Sequence, residues 1–526
     1  MAKASVGGAC GLVARRRRGL GAAAAFAAAV GAQIPPPSPR PQEPQVPIPV
    51  DQEADARGQP VRELTLDDAL RIGRRYNVDL RSGELGPEQA RADLQVADAV
   101  FQPEFYGDLG YDKAQTPTRN AFQPSVERES ADATLGWRQR VVTGGLFDLA
   151  YHPARFSTSS SVPGTFPERQ FTSEWSFSYT QPLLRGAWPD YNLAPIDAAE
   201  HTVARAQHTF EKQVQDTLEL IVEAYWELAF ARENYRVVIE SLNVAREQLR
   251  ITLERIRVRE LAPRDRVADE AEVARREEER IAAENQVRRN EDELRRLLFD
   301  VERPQLWRWN LRPIDPIAIT PSGEELKFAE LAEVAIANRP DLKAARSVVA
   351  EAELTLLQAS RDVLPSLDLV GGYNSDAARD SFHNAFADSI DQQFQDWSIR
   401  LQFVIPVGNQ AARGVERRAQ LEVERRQRNL YAAMLDVTKE VREAVRALGS
   451  LSQAILASAE SVRLAESNLE TEQVKLGVGS STAFEVQRRN QELREARSRH
   501  LRNQLDYRIA QSRLLHAQGL LQEPRQ

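Results

Sequence analysis

The chain has 526 residues, of which 28% are charged and 7% aromatic, and its 69 basic and 77 acidic residues leave a net charge of −8. There is no basic excess of the kind that binds nucleic acid, and the abundance of Ala, Glu, Arg and Leu leans towards long helices with solvated faces. The single cysteine, Cys10, falls in a segment expected to be removed, which takes disulfides, cysteine metal sites and thiol catalysis from the mature chain together.

Residues 1–32 read as an export signal. Arg15 to Arg18 form the positive region, Gly19 to Val30 a short Ala-rich apolar run, and Val30-Gly31-Ala32 a small-residue cleavage site. The run is too short to span a bilayer. Residues 33–60 are Pro-rich and read as an extended linker. At Leu64-Thr65-Leu66-Asp67-Asp68, Thr65 is placed to cap a helix with an acidic first turn, and Asp79 to cap a second helix running towards Val100.

Beyond Gln102-Pro103 the period changes to two. Phe105, Gly107, Leu109 and Tyr111 alternate with Tyr106, Asp108, Gly110 and Asp112, which is a strand. Leu135, Trp137 and Val141 suggest another, Thr143-Gly144-Gly145 a turn, and Phe147, Leu149 and Tyr151 a third. Glu174 to Thr180 alternates aromatic with small polar residues. Polar loops are expected over 116–130 and 157–169. Gln181-Pro182-Leu183-Leu184-Arg185-Gly186 then leads into a helical run whose apolar stripe includes Leu218, Ile221, Tyr225, Leu228, Leu242 and Leu253. Pro195 to Arg259 alone spans roughly 100 Å at the helical rise, wider than any single globular core. The run breaks at Leu261-Ala262-Pro263 and resumes to about Leu298.

The second half repeats the first. Leu64–Tyr111 aligns on Leu326–Tyr373 without a gap, at an offset of 262 seen at Asp-Leu, Pro and Gly-Tyr alike (342 − 80, 365 − 103, 373 − 111). A strand at Trp397 to Ile405 and a long helical run from Ala411 to Leu476 follow. That run breaks at Gly477-Val478-Gly479-Ser480-Ser481 and returns to about Leu520. The repeats are therefore 61–300 and 326–520, joined by a linker at 301–325, with strands at about 103–182 and 365–407 and helical hairpins at 190–300 and 411–520. A duplication of this length is a structural signature.

Strands with aromatics on one face and Ser, Thr and charges on the other suit either a soluble core or a membrane barrel with an aqueous lumen. Export, the unequal loops and Asp108, Arg138, Asp148, Glu174, Asp368 and Arg400 on the polar faces favour the barrel. Backbone in lipid must be fully paired, and one chain offers too few strands to close, so copies must combine.

With its paired openings at Leu64 and Leu326, prolines at Pro103 and Pro365, the Gln181–Gly186 segment and two hairpin tips, the chain resembles the TolC-like outer-membrane efflux proteins. The resemblance implies a mainly α fold with a membrane β-barrel portion: a homotrimer in which long helical hairpins form an α-barrel and the strands one shared barrel in the outer membrane, below which lies a large periplasmic part. It also implies docking on a periplasmic adaptor (membrane fusion) protein and, indirectly, an inner-membrane pump of RND or ABC type. Family members have four strands per chain and twelve per barrel; the extra hairpin around Gly144 leaves open whether it joins. The family's first tip, R-F-x-x-G-L-x-x-x-x-D, falls on Arg255 through Asp265, with Arg259 at the glycine and then Glu260 and Leu261. The implied docking set is Arg255, Arg259, Leu261 and Asp265 on one tip and Lys475, Gly477, Gly479 and Ser481 on the other. Glu485 and Arg488 stand where the family's best-known members ring the closed aperture with two aspartates.

No catalytic constellation, cofactor fingerprint or metal spacing appears. The histidines at 152, 201, 208, 383, 500 and 516 fit no HExxH pattern, and Gly477-Val478-Gly479 lacks the Lys-Ser/Thr of a phosphate loop. The expected function is a passive exit duct for efflux or type I secretion, without enzyme activity, cofactor or metal. The alternative is a non-channel periplasmic coiled-coil scaffold whose strands form a soluble sheet.

Overall fold

The computed structural model describes residues 53–54, 60–116, 126–160, 169–259, 262–299, 307, 309–319, 326–392, 394–478 and 480–521. The expected export signal and nearly all of the Pro-rich segment lie outside the described residues.

In chain order β1 (Glu53–Ala54) falls in the stretch expected as linker, and β2 (Pro60–Leu64), α1 (Leu66–Tyr76), α2 (Val78–Gly83), α3 (Leu85–Asp98) and β3 (Glu104–Thr116) follow. Then come β4 (Val126–Arg140), β5 (Leu146–Ser160), β6 (Arg169–Pro182), α4 (Pro189–Arg257) and α5 (Arg266–Leu298). After β7 (Asn310–Pro313), the second repeat runs α6 (Phe328–Asn338), α7 (Pro340–Asp362), β8 (Ser366–Arg379), α8 (Phe382–Ile390), β9 (Phe394–Val404), α9 (Gln410–Gly477) and α10 (Ala483–Ala517).

The duplication is visible in these bounds. Adding 262 to the limits of α1 gives those of α6. Two short helices, α2 and α3, match the single α7, and α4 and α9 are 69 and 68 residues long. Thr65 caps α1 as expected, accepting from Asp68 N–H at 3.1 Å. The second cap differs from expectation: Asn77, not Asp79, accepts from Leu80 N–H at 3.0 Å, and Asp79 sits in the first turn. A short amide side chain one residue before the helix reaches the orphan N–H groups, whereas Asp79 is already inside it.

The linker stretch carries a strand. β7 pairs in parallel with β2, and Leu311 is fully buried. The Asp315 carboxylate accepts from Leu66 N–H at 2.7 Å and from the Tyr225 hydroxyl at 2.5 Å. The strap is thus fixed to both α1 and α4. Around Tyr225 the α4 stripe is buried at Leu218, Ile221 and Leu228, facing Leu294 and Leu298 of α5. Gly73 of α1 lies so close that a Cβ there would meet Ile221 Cδ1 at 2.2 Å. In the second repeat Ala335, Leu342, Val437, Val441 and Ala517 form the matching core, and Leu448, Ile455, Tyr507 and Leu514 continue it along α9 and α10.

Towards the hairpin tips burial gives out. Leu253 on α4 is 43% exposed, Leu456 on α9 64% and Val474 64%. One chain therefore leaves part of its helical stripe uncovered.

Six strands form one antiparallel sheet in the order β3-β4-β5-β6-β8-β9, with β6 against β8 joining the two repeats. β4 and β5 extend into the segments expected as polar loops, and between β8 and β9 the chain forms the short helix α8. The two edge strands, β3 and β9, have one side each without a partner in a single chain.

Candidate functional site

Two regions can carry function: the sheet and the two tips, at opposite ends of the α4 and α9 helices. In the sheet, register sorts the residues onto two faces. One row crosses all six strands: Phe105, Trp137, Leu149, Phe177, Tyr373 and Trp397 are successive cross-strand partners. Above and below it on that face stand Leu135, Tyr151 and Trp175, and Phe147, Tyr179 and Ile399. The rings touch, Tyr151 and Trp175 having centroids 4.6 Å apart and Phe147 and Tyr179 4.2 Å. Much of this face is open to solvent in one chain, with Leu109 at 85% and Trp397 at 74% exposure. Lys113, Glu129, Arg155 and Arg379 stand on the same face at the strand ends remote from the helices, where α8 also packs, its Ser389 hydroxyl 2.8 Å from that of Ser173.

The opposite face is polar, and several of its side chains pair with one another. Glu104 pairs with Arg138 at 2.9 Å, the Tyr106 hydroxyl donates to Asp148 at 2.9 Å, and His152 lies 3.1 Å from Thr134 and 3.2 Å from Ser176. An apolar outer face and a hydrogen-bonded polar inner one are what a lipid-embedded, water-filled barrel requires. Among the described residues no helix is long and apolar enough to cross a membrane.

At the first tip α4 ends on a cap at Val258, whose N–H donates to Glu254 O at 3.0 Å. Arg259 has φ +66°, and its N–H donates to Ile256 O at 3.0 Å. The left-handed geometry that glycine supplies at helix ends is thus kept by an arginine, at the cost of about 1 kcal/mol of backbone strain. Arg255 is exposed on the last turn, and Asp265 closes the short 3₁₀ turn that opens α5. Leu261 lies outside the described residues.

The second tip is held together by Glu472, which meets both Lys475 and Ser481 of the expected docking set. Ser480 N–H donates to Lys475 O at 2.9 Å, and the Ser481 hydroxyl donates to Glu472, which also pairs with Lys475 at 3.4 Å. The Ser481 hydrogen bond, ahead of the Lys475 charge, holds the Glu472 carboxyl below its ordinary range. Glu472 looks in the sequence like one of many helix-face acids; only its approach to Ser481, nine residues on, distinguishes it. Gly477 is the last residue of α9, and Gly479 lies outside the described residues. Thr482 caps α10 by accepting from Glu485 N–H at 3.4 Å. Glu485 and Arg488 pair along their own helix at 3.0 Å, and Arg488 also faces Glu492 at 3.7 Å.

A third charged cluster sits midway along α4 and α9, where α10 ends. His516 of α10 is 2.8 Å from Asp216, 3.2 Å from Glu219 and 3.7 Å from Glu440. Burial pulls its pKa down, but the Asp216 hydrogen bond and the Glu440 and Glu219 carboxylates outweigh that and leave it at about 9. Arg339 completes the cluster, donating to Asp341 at 2.6 Å and Glu440 at 2.8 Å. His500 also bridges two helices, 2.9 Å from Ser458, but His516 is the one set among three carboxylates, a placement that no local spacing reveals.

Residues 331–520 match the outer membrane efflux protein family. No curated protein matches the chain by sequence. Among solved structures, the Campylobacter jejuni CmeC outer membrane channel is 16% identical, with a TM-score of 0.62 over 88% of this chain and 87% of that one. The outer membrane protein VceC from Vibrio cholerae is 15% identical, with a TM-score of 0.62 over 86% and 96%. The open state of the Neisseria gonorrhoeae MtrE outer membrane channel is 16% identical, with a TM-score of 0.59 over 86% and 89%. At such identities the likeness is one of fold, and it extends over both repeats.

Proposed function

We propose that this chain is a TolC-like outer-membrane efflux protein, the exit duct of a tripartite efflux or type I secretion system, a reading supported by the family match over residues 331–520 and by the likeness of fold to outer membrane channels. The observation that carries this reading is the continuity of one sheet, apolar outside and polar within, with two helices about 100 Å long. A strand pair closes on another chain's edge, and the exposed stripe at Leu253, Leu456 and Val474 finds its cover on neighbouring helices. Three copies satisfy both needs, so the protein works as a homotrimer with its barrel in the outer membrane and its tunnel in the periplasm.

The duct consumes no energy. The tips at Arg255–Asp265 and Lys475–Ser481 are the docking points for a periplasmic adaptor, and Glu485 and Arg488 line the aperture. Opening is a shift between two packings of the helix pairs near the tips, biased by whichever partner binds the open one better. Fractionation tests location: a duct stays with the outer membrane until detergent is added, whereas a coiled-coil scaffold is released without it. Cysteines at Arg259 and Gly477 should cross-link to a co-expressed adaptor hairpin; no adduct at either tip removes the docking assignment.

A further inference from the structure

We infer that the β4–β5 hairpin forms two full staves of the membrane barrel, so that three copies of six strands close an eighteen-stranded pore, wider at the membrane than the family's twelve. This rests on the trimeric duct reading above. The second repeat enters and leaves the sheet by β8 and β9 alone, while the first does so by β3 and β6 with β4 and β5 between them. The hairpin is therefore an insertion into one repeat, and its position is interior. β3 does not touch β6: it pairs with β4 from Glu104↔Arg138 to Thr116↔Val126, and β6 pairs with β5 from Leu146↔Thr180 to Ser157↔Arg169. A barrel that left the hairpin aside would strip two ladders of their partners in lipid, where unpaired backbone is most costly.

Its side chains match both surroundings. Trp137 and Leu149 fill the middle of the aromatic row, and Arg138 and Asp148 supply the partners of Glu104 and Tyr106 on the polar face. Its helix-side turn is latched to the start of the tunnel. Gln181 Nε2 donates to Thr143 O at 2.8 Å, and Asn192 Nδ2 donates to Val142 O at 3.0 Å and Gly186 O at 2.7 Å. Gly144 has φ +79°, and a Cβ there would meet Gly186 O at 2.1 Å, so the turn is fitted to this junction. Gln181 and Gly186 belong to the segment that carries the family resemblance; here they hold the insertion in place.

With strands about 4.8 Å apart and tilted about 40°, twelve strands give a backbone diameter of about 24 Å and eighteen about 36 Å. The periplasmic tunnel keeps its four helices per chain (α4, α5, α9 and α10) whichever number of strands closes the barrel, so the hairpin sets the width of the membrane section alone.

The direct test is electron cryo-microscopy of the trimer in lipid nanodiscs. Eighteen strands are expected; a trimer with twelve, and residues 126–160 outside the wall, overturns the inference while leaving the duct intact. Absence of a membrane-embedded trimer overturns both. As a functional counterpart, deletion of residues 121–165 leaves β3 joined to β6 as β8 is to β9. With the tips held open, the polymer size excluded from the membrane section should fall and conductance should drop by up to about twofold, as pore area scales. An unchanged exclusion limit and conductance count against the wide barrel.

Discussion

His516 is a charged pin whose strength depends on pH. Its side chain is 13% exposed and faces Asp216 and Glu219 from α4 and Glu440 from α9. Around them Lys212 pairs with Asp216 at 2.5 Å, Arg339 with Glu440 at 2.8 Å and Arg513 with Glu223 at 3.3 Å. The folded chain holds the imidazolium with a pKa of about 9 against an ordinary 6.5. A raised pKa means that the folded state prefers the charged form. The stabilisation is therefore complete below 6.5, declines as pH rises, and is gone above about 9. At 1.36 kcal/mol per pH unit the interval is worth about 3 kcal/mol per chain. Denaturant unfolding of wild type and His516→Gln should be followed from about pH 6 to about pH 10. The stability difference between them should shrink by about that amount across the window. A difference that stays flat, or one that grows with pH, refutes the reasoning.

Other outcomes follow from the tips and the wall. Leu149→Arg, on the aromatic face proposed to meet lipid, should cost about 2–4 kcal/mol and reduce the yield of membrane-inserted protein, whereas Asp148→Asn on the polar face should insert normally. Arg259→Gly should leave the thermal transition within about 1 kcal/mol of wild type, but Arg259→Val should lower it and reduce adaptor cross-linking, because a β-branched residue resists the left-handed conformation. Arg488→Glu removes the partner of Glu485 and places two acids on one face of α10; if that face lines the aperture as proposed, reversal potentials across a salt gradient should shift towards cation selectivity, with little change in stability for so exposed a pair.

Most of the fold was legible because both repeats are periodic over unusual lengths. The α4 stripe, the Thr65 cap, the alternation at Phe105 and Trp175 and the 262-residue offset all survive in the structure. What stayed hidden depends on contacts between distant residues. β7 is four residues in a stretch that reads as linker, and it becomes a strand because β2 offers an edge and Tyr225 a partner for Asp315. The membership of β4 and β5 in the sheet needed register, which sequence sets only weakly where the polar ends of the strands read as loop. At the tips the docking residues were placed by resemblance, yet the Ser481–Glu472 clamp and the strained backbone of Arg259 come from geometry alone.

The most direct test of the central claim is current through a planar bilayer. Purified protein, with Glu485 and Arg488 replaced to loosen the aperture, should insert as trimers and pass discrete steps of ionic current that vanish when the detergent-solubilised protein is dissociated beforehand. Protein that associates with the membrane as a trimer but passes no current with the aperture loosened contradicts a duct.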